Sequence, residues 1–156
     1  MALSFFDAIG RGDSSGAAAL FIDKGWYLGG APCGVNNPCN DPQVRAARFQ
    51  AAVSQHTKQT VLGNPVVVGN LVQVRWETRN DTQAAAGVER QIYNGTLQVQ
   101  GDKLAALLAI PDLSDAQTAK LLAFQQAQAA SASPSAAASA AAKPAAVPAS
   151  TQSGSY

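Results

Sequence analysis

The chain has 156 residues, with 11 Lys or Arg against 10 Asp or Glu and a formal net charge of +1. No stretch reaches the basic density that phosphate backbones demand, which excludes nucleic-acid binding and strong attraction to a membrane surface. The length suits one domain with one modest core, and no segment approaches the roughly 18 apolar residues that cross a bilayer.

The opening MALSFFDAIGRGD lacks a basic n-region and is interrupted at Asp7, so it does not read as a signal peptide. A cytoplasmic, bacterial-type protein is the expectation, with a processed secreted one as the alternative. Leu3 to Ile9 reads as a short helix with Leu3, Phe5, Phe6 and Ile9 as its apolar stripe. Arg11-Gly12-Asp13 reads as a charged turn rather than an adhesion signal. Asp13 or Ser14 caps a second helix running through Ala17 to Phe21. Asp23-Lys24-Gly25 then turns the chain into a short strand, Trp26 to Leu28. Gly29 to Pro42 is rich in Gly, Pro and Asn and reads as a loop. Asp41 followed by Pro42 opens a helix that runs to about Gln55, with Arg45 and Arg48 on its water-facing side.

Beyond Gln55 the hydrophobic period changes to two. Thr57 to Val68 reads as a strand bent at Gly63-Asn64-Pro65, and Gly69-Asn70 as a hairpin turn. Leu71 to Arg79 is the next strand, Asn80 to Ala86 a loop, Gly87 to Val99 a long bent strand. After a turn at Gly101-Asp102, Lys103 to Ile110 is the last strand, ended by Pro111. Ser114 caps a final helix from Asp115 to about Gln126. Residues 127–156 are dominated by Ala, Ser and Pro and read as a disordered tail on a domain spanning 1–126. Sequential hairpins after a helical first half predict an α+β domain with a mostly antiparallel sheet and a helical cover.

Cys33 and Cys39 are the only cysteines and His56 the only histidine. Their spacing suits neither a redox pair nor a structural zinc site, so no metal is expected. A local disulfide and two free thiols both remain open. The segment VQVRWETR poses a question of phase. Enclosing its charged residues without partners costs more than burying Val, Val and Trp gains, so Val74, Trp76 and Thr78 are placed inward. Gln73, Arg75, Glu77 and Arg79 then face outward, where their alternating charges could bridge to neighbouring strands or to a second subunit.

The order of FFDAIGRGDSSGAAALF, the Trp26 strand, DPQVRAARFQAAV and GTLQVQGDKLAALLAIPDLSD resembles the nuclear-transport-factor-2-like superfamily, in its SnoaL-like branch. The resemblance covers roughly Leu3 to Gln117. It implies a cone: a strongly curved sheet around an apolar pocket, N-terminal helices packed on its concave face, and a tendency to dimerise. Polyketide cyclases, ketosteroid isomerases and epoxide hydrolases resemble this pattern, and so do members that only bind. Their catalytic positions align with Trp76, Thr78 and Ala109, or with Phe5, the Gly29 region and Gly95, none of which carries the family's catalytic group.

The same register puts Glu89, Tyr93 and Leu97 inward from the long strand, Leu107 from the last, and Trp26 and Leu28 from the first. Glu89 is the candidate general base, with a surface ion pair to Arg90, Arg79 or Arg75 as the alternative. Tyr93 is the candidate polariser of a ligand carbonyl, or else a core tyrosine. His56 is a candidate proton carrier, or else a helix cap. Trp26, Leu28, Val74, Trp76, Thr78, Leu97 and Leu107 are the candidate ligand-binding residues. The expected partner is a small hydrophobic molecule in an apolar pocket with few polar groups, bound by a homodimer formed through the sheet. No cofactor is implied, and isomerase, cyclase or lyase chemistry stays open. The alternative is a noncatalytic dimeric interaction module.

Overall fold

The computed structural model describes residues 2–29 and 32–132. Two aspartates set the early helices. After α1 (Ser4–Gly10), Asp13 Oδ1 accepts the Gly16 N–H at 2.7 Å and starts α2 (Ser14–Ala19). Strand β1 (Phe21–Leu28) follows. Asp41 accepts the N–H groups of Gln43 and Val44, and Pro42 opens α3 (Pro42–Ser54), where its missing donor costs nothing. The remaining elements are β2 (Lys58–Val68), β3 (Leu71–Arg79), α4 (Asp81–Ala85), β4 (Gln91–Gln100), β5 (Lys103–Pro111) and α5 (Ala116–Ala132).

The five strands form one sheet in the order β1-β5-β4-β3-β2. Strands β2 to β5 pair antiparallel in sequence, while β1 runs parallel to β5 along one edge. This is the expected α+β cone with a mostly antiparallel sheet. Gly69 and Gly101 supply the positive φ of the hairpin turns, +59° and +62°. Register shifts break the pairing at Phe21/Trp26, Leu62/Val66 and Gln98/Val99, and such irregularities bend strands and add twist. Pro65 sits inside one of these shifts on the edge strand β2, where its missing N–H is tolerated.

The phase of β3 is as the sequence predicts: Val72, Val74, Trp76 and Thr78 are buried, and Arg75 and Arg79 are exposed. Phe5, Phe6 and Ile9 of α1 and Phe49 of α3 pack onto the concave side with Leu97, Leu104 and Leu107. Phe5 meets Phe49 edge-on at 5.2 Å, and Trp76 stacks on Tyr93 at 5.3 Å with 13° between the rings. Gly95 makes room for that indole, since a Cβ there would lie 2.6 Å from Trp76 Cη2.

Several local expectations are corrected. Phe21 opens β1 instead of ending a helix. Tyr27, an even six residues on from the buried Phe21, shares its face and packs on the core, while Trp26 is 46% exposed. The segment after β3 holds α4, fixed by a capping box between Asn80 and Gln83, and β4 starts at Gln91 rather than Gly87. Asp115, not Ser114, caps α5 by accepting the Thr118 N–H, and the helix continues beyond Gln126 to Ala132. Residues 133–156 of the expected tail lie outside the described residues. Cys33 and Cys39 are bridged.

Candidate functional site

Curvature leaves a hollow between the concave face, α3 and α5. It comprises a cavity of about 640 Å³ at the mouth and an inner one of about 340 Å³. Both are lined by Gly29, Gln55, Asn80, Tyr93 and Ala109, so they adjoin. Leu28, Cys33 and Pro111 surround the mouth, with Leu121, Leu122 and Gln125 of α5. The inner cavity is lined by Tyr27, Arg48, Thr57, Gln59, Trp76 and Thr78 among others.

The inner wall is more polar than expected. Arg45 and Arg48 do not face water. Arg45 is 3% exposed, lies over the Phe21 ring at 5.0 Å, and donates to the carbonyls of Gly25 (2.6 Å) and Ile22 (3.2 Å). Arg48 Nη1 donates to the carbonyls of Tyr27 (3.3 Å) and Gly29 (3.4 Å). These carbonyls belong to the edge strand β1 and the residue after it, and α3 carries both arginines because positions three apart share a helix face. Burial lowers the Arg45 pKa against the opposing pull of Asp23 and Asp41, yet a guanidinium stays charged.

Around the inner cavity, Arg48 Nε and Nη2, Thr57 Oγ1, Gln59 Oε1, Trp76 Nε1 and Thr78 Oγ1 are enclosed and have no hydrogen-bond partner. Buried polar atoms are ordinarily paired, so their concentration at one cavity is informative. Two phenols complete the wall. Burial raises the Tyr27 pKa, with Arg48 pulling the other way. Burial, then the neighbouring Tyr27, pushes the Tyr93 pKa above the ordinary tyrosine range. Both therefore stay protonated at neutral pH. The Tyr93 hydroxyl donates to Gln91 Oε1 at 2.8 Å.

The residues expected from the sequence scatter. Tyr93, Trp76 and Thr78 line the inner cavity, and Leu28 lines the mouth. Val74, Leu97 and Leu107 are buried in the core and line neither cavity. Trp26 is turned outward. Glu89 is exposed on the connection before β4, because Gly87, at φ 63°, and Val88 fold back onto the end of α4 instead of extending as strand; its N–H donates to Gln117 Oε1 at 2.8 Å. His56, at φ 51° beyond the end of α3, pairs with Asp81 at 2.7 Å, with both side chains well exposed. His56 and Glu89 line a separate open surface depression, not the hollow. The described lining of the hollow includes no Asp, Glu or His. Tyr27, Arg48, Thr57 and Gln59 were missed. The available signal was helical phase: Arg45 is four residues before the core residue Phe49 and Arg48 is adjacent to it.

This architecture, a curved sheet closed on one side by helices around a hollow, defines a cone-type α+β protein. Comparison with solved structures gives the class its name. The chain superposes on SalBIII, described as an epoxide hydrolase/cyclase-like enzyme of pyran ring formation in salinomycin, with TM-score 0.60, 13% identity, and coverage of 73% of this chain and 89% of that one. A putative polyketide cyclase from Sinorhizobium meliloti gives 0.54, 15%, 68% and 89% in the same order. An NTF2-like protein of unknown function from Cytophaga hutchinsonii gives 0.54, 12%, 72% and 88%. The chain has the NTF2-like cone fold. No protein-family model and no curated protein matches the sequence.

Proposed function

We propose that this cone binds a small amphipathic molecule in its hollow, as a binding protein rather than an acid–base enzyme. The observation that carries the reading is the inner cavity itself, where Tyr93, stacked on the buried Trp76, offers an aromatic surface beside polar atoms that lack partners. A cyclase or isomerase working by proton transfer needs a base within reach of its substrate, and the described lining offers no carboxylate or imidazole. This departs from the apolar pocket with Glu89 as base that the sequence suggested. Titration with the neutral probe Nile red tests it. The dye should brighten in the wild type, and Ala109→Phe, which fills space shared by both cavities, should abolish the signal while circular dichroism is unchanged. Equal binding by the variant would place the dye elsewhere and defeat the reading.

A homodimer through the outer face of the sheet is the second element of the proposal. Trp26, Leu108 and Ile110 expose 46%, 39% and 54% of their surface there. Arg75 and Glu77, first considered for this contact, are paired within the chain to Asp112 and Arg79. Sedimentation of Ile110→Asp should show a monomer where the wild type is dimeric; the same species in both removes the dimer. The Cys33–Cys39 bridge favours an oxidising compartment over the cytoplasm expected from the sequence.

A further inference from the structure

We infer that the ligand carries a carboxylate and that Arg48 receives it side-on, with the apolar body of the molecule lying along Trp76 and Tyr93 toward the mouth. The inference rests on the cavity reading above and specifies its occupant.

Three observations point to this chemistry. First, the free atoms of Arg48 are a matched pair. Nη1 is committed to the Tyr27 and Gly29 carbonyls, which fixes the guanidinium plane. The unpartnered Nε and Nη2 lie on one edge of that plane as two parallel N–H groups, the spacing of two carboxylate oxygens; both are enclosed, so the lining side chains part to admit the ligand. Second, the charge is uncompensated. Among the described residues no carboxylate forms an ion pair with Arg48, and none lines either cavity. The two phenols are kept neutral and provide no counter-ion. Third, the surrounding groups favour an acceptor. Trp76 Nε1 can only donate, and the Thr57 and Thr78 hydroxyls rotate to donate as readily as accept. Gln59 Oε1 is the exception, an acceptor. A ligand rich in acceptors would satisfy most of these atoms together. Arg45 is the internal contrast: both its Nη atoms are bonded to β1 carbonyls, only its Nε lacks a partner, and it stacks on Phe21 and lines neither cavity, so it belongs to the scaffold.

Calorimetry with 2-naphthoate and its neutral relative 2-naphthamide tests the inference. The wild type should bind the acid at least about tenfold more tightly, as expected for a charge-assisted pair. Arg48→Gln should bring the two within about threefold of each other without losing the amide. Arg48→Lys, which keeps the charge but not the fork, should fall between, and Ala109→Phe should abolish both heats. Equal affinities in the wild type would overturn the carboxylate inference while leaving the cavity reading intact. So would a full preference surviving in Arg48→Gln, and a full preference in Arg48→Lys would overturn the side-on geometry. If neither compound binds the wild type, the cavity reading falls and this inference with it. The wild-type comparison decides even if an Arg48 variant fails to fold.

Discussion

Thr78 and Thr118 are both buried, at 6% and 0% exposure, and the same substitution should move stability in opposite directions at the two sites. Thr118 Oγ1 accepts the Ile92 N–H at 2.8 Å and donates to Asp115 Oδ1 at 3.0 Å. Thr118→Val strands a buried backbone donor, which costs about 2–3 kcal/mol, or roughly 6–12 °C in Tm at this chain length. Thr78 Oγ1 has no partner, and its cross-strand neighbours Gln59 and Gln91 do not bond to it. Thr78→Val keeps the shape and the β-branch, removes an enclosed unpaired hydroxyl, and buries a methyl group. It should raise stability by about 1 kcal/mol or more, roughly 3 °C. The same change should weaken 2-naphthoate binding, so stability rises as function falls. Urea unfolding followed by tryptophan emission measures both variants, with equal m-values required for the comparison. A loss at Thr78 comparable to that at Thr118 would mean the Thr78 hydroxyl is already satisfied in the free protein. The argument that the cavity holds polar groups for a ligand would then fail.

Three further outcomes follow from local geometry. Gly95→Ala should cost about 1–3 kcal/mol and shift tryptophan emission, since its Cβ would meet the Leu108 carbonyl at 2.7 Å as well as the Trp76 ring; an unchanged emission spectrum would contradict this. Reducing the Cys33–Cys39 bridge should lower stability by about 2 kcal/mol, seen as a shift in urea midpoint with and without reductant. The Thr118 N–H holds the Asp115 carboxylate below its usual range, so its contribution is present above the unfolded value near ~3.9 and fades as pH falls through the lower folded value. Asp115→Ala should therefore cost about 1 kcal/mol at neutral pH, with the gap to wild type closing in strong acid.

The sequence revealed the sheet far better than the site, for reasons that particular residues make plain. The alternation in VQVRWETR has one interpretation that avoids burying unpaired charge, and β3 adopts it. Asp41-Pro42 combines a cap with a first-turn proline, and α3 begins there. Periodicity misleads where a strand's start is misplaced. Assigning Trp26 and Leu28 to the inside sets the phase on a three-residue strand, whereas β1 begins at Phe21, whose buried ring puts Tyr27 on the inner face and Trp26 on the outer. Glu89 lies outside for a different reason: Gly87 takes a positive φ and turns the chain, so β4 begins only at Gln91. Arg48 was assigned to water because arginine usually is. Its identity gives no hint that the carbonyls of an edge strand lie within its reach.

Those carbonyls connect the fold to the site. Strand β1 pairs only with β5, which leaves its other edge open, and open edges invite unwanted pairing. Here Arg45 takes the carbonyls of Gly25 and Ile22, Arg48 takes those of Tyr27 and Gly29, and the Tyr27 N–H donates to the Cys39 carbonyl at 3.0 Å. The edge is thus covered by two side chains of α3 and by the disulfide loop. A lysine at either position would supply one point charge where a planar group spans two acceptors. At Arg45 the covering uses both Nη atoms. At Arg48 it uses one, and the opposite edge of the same rigid plane is left beside the inner cavity. The need to protect an edge strand therefore fixes a cation in the hollow without an acidic partner, and this asymmetry between two arginines one turn apart is what the proposed carboxylate site rests on.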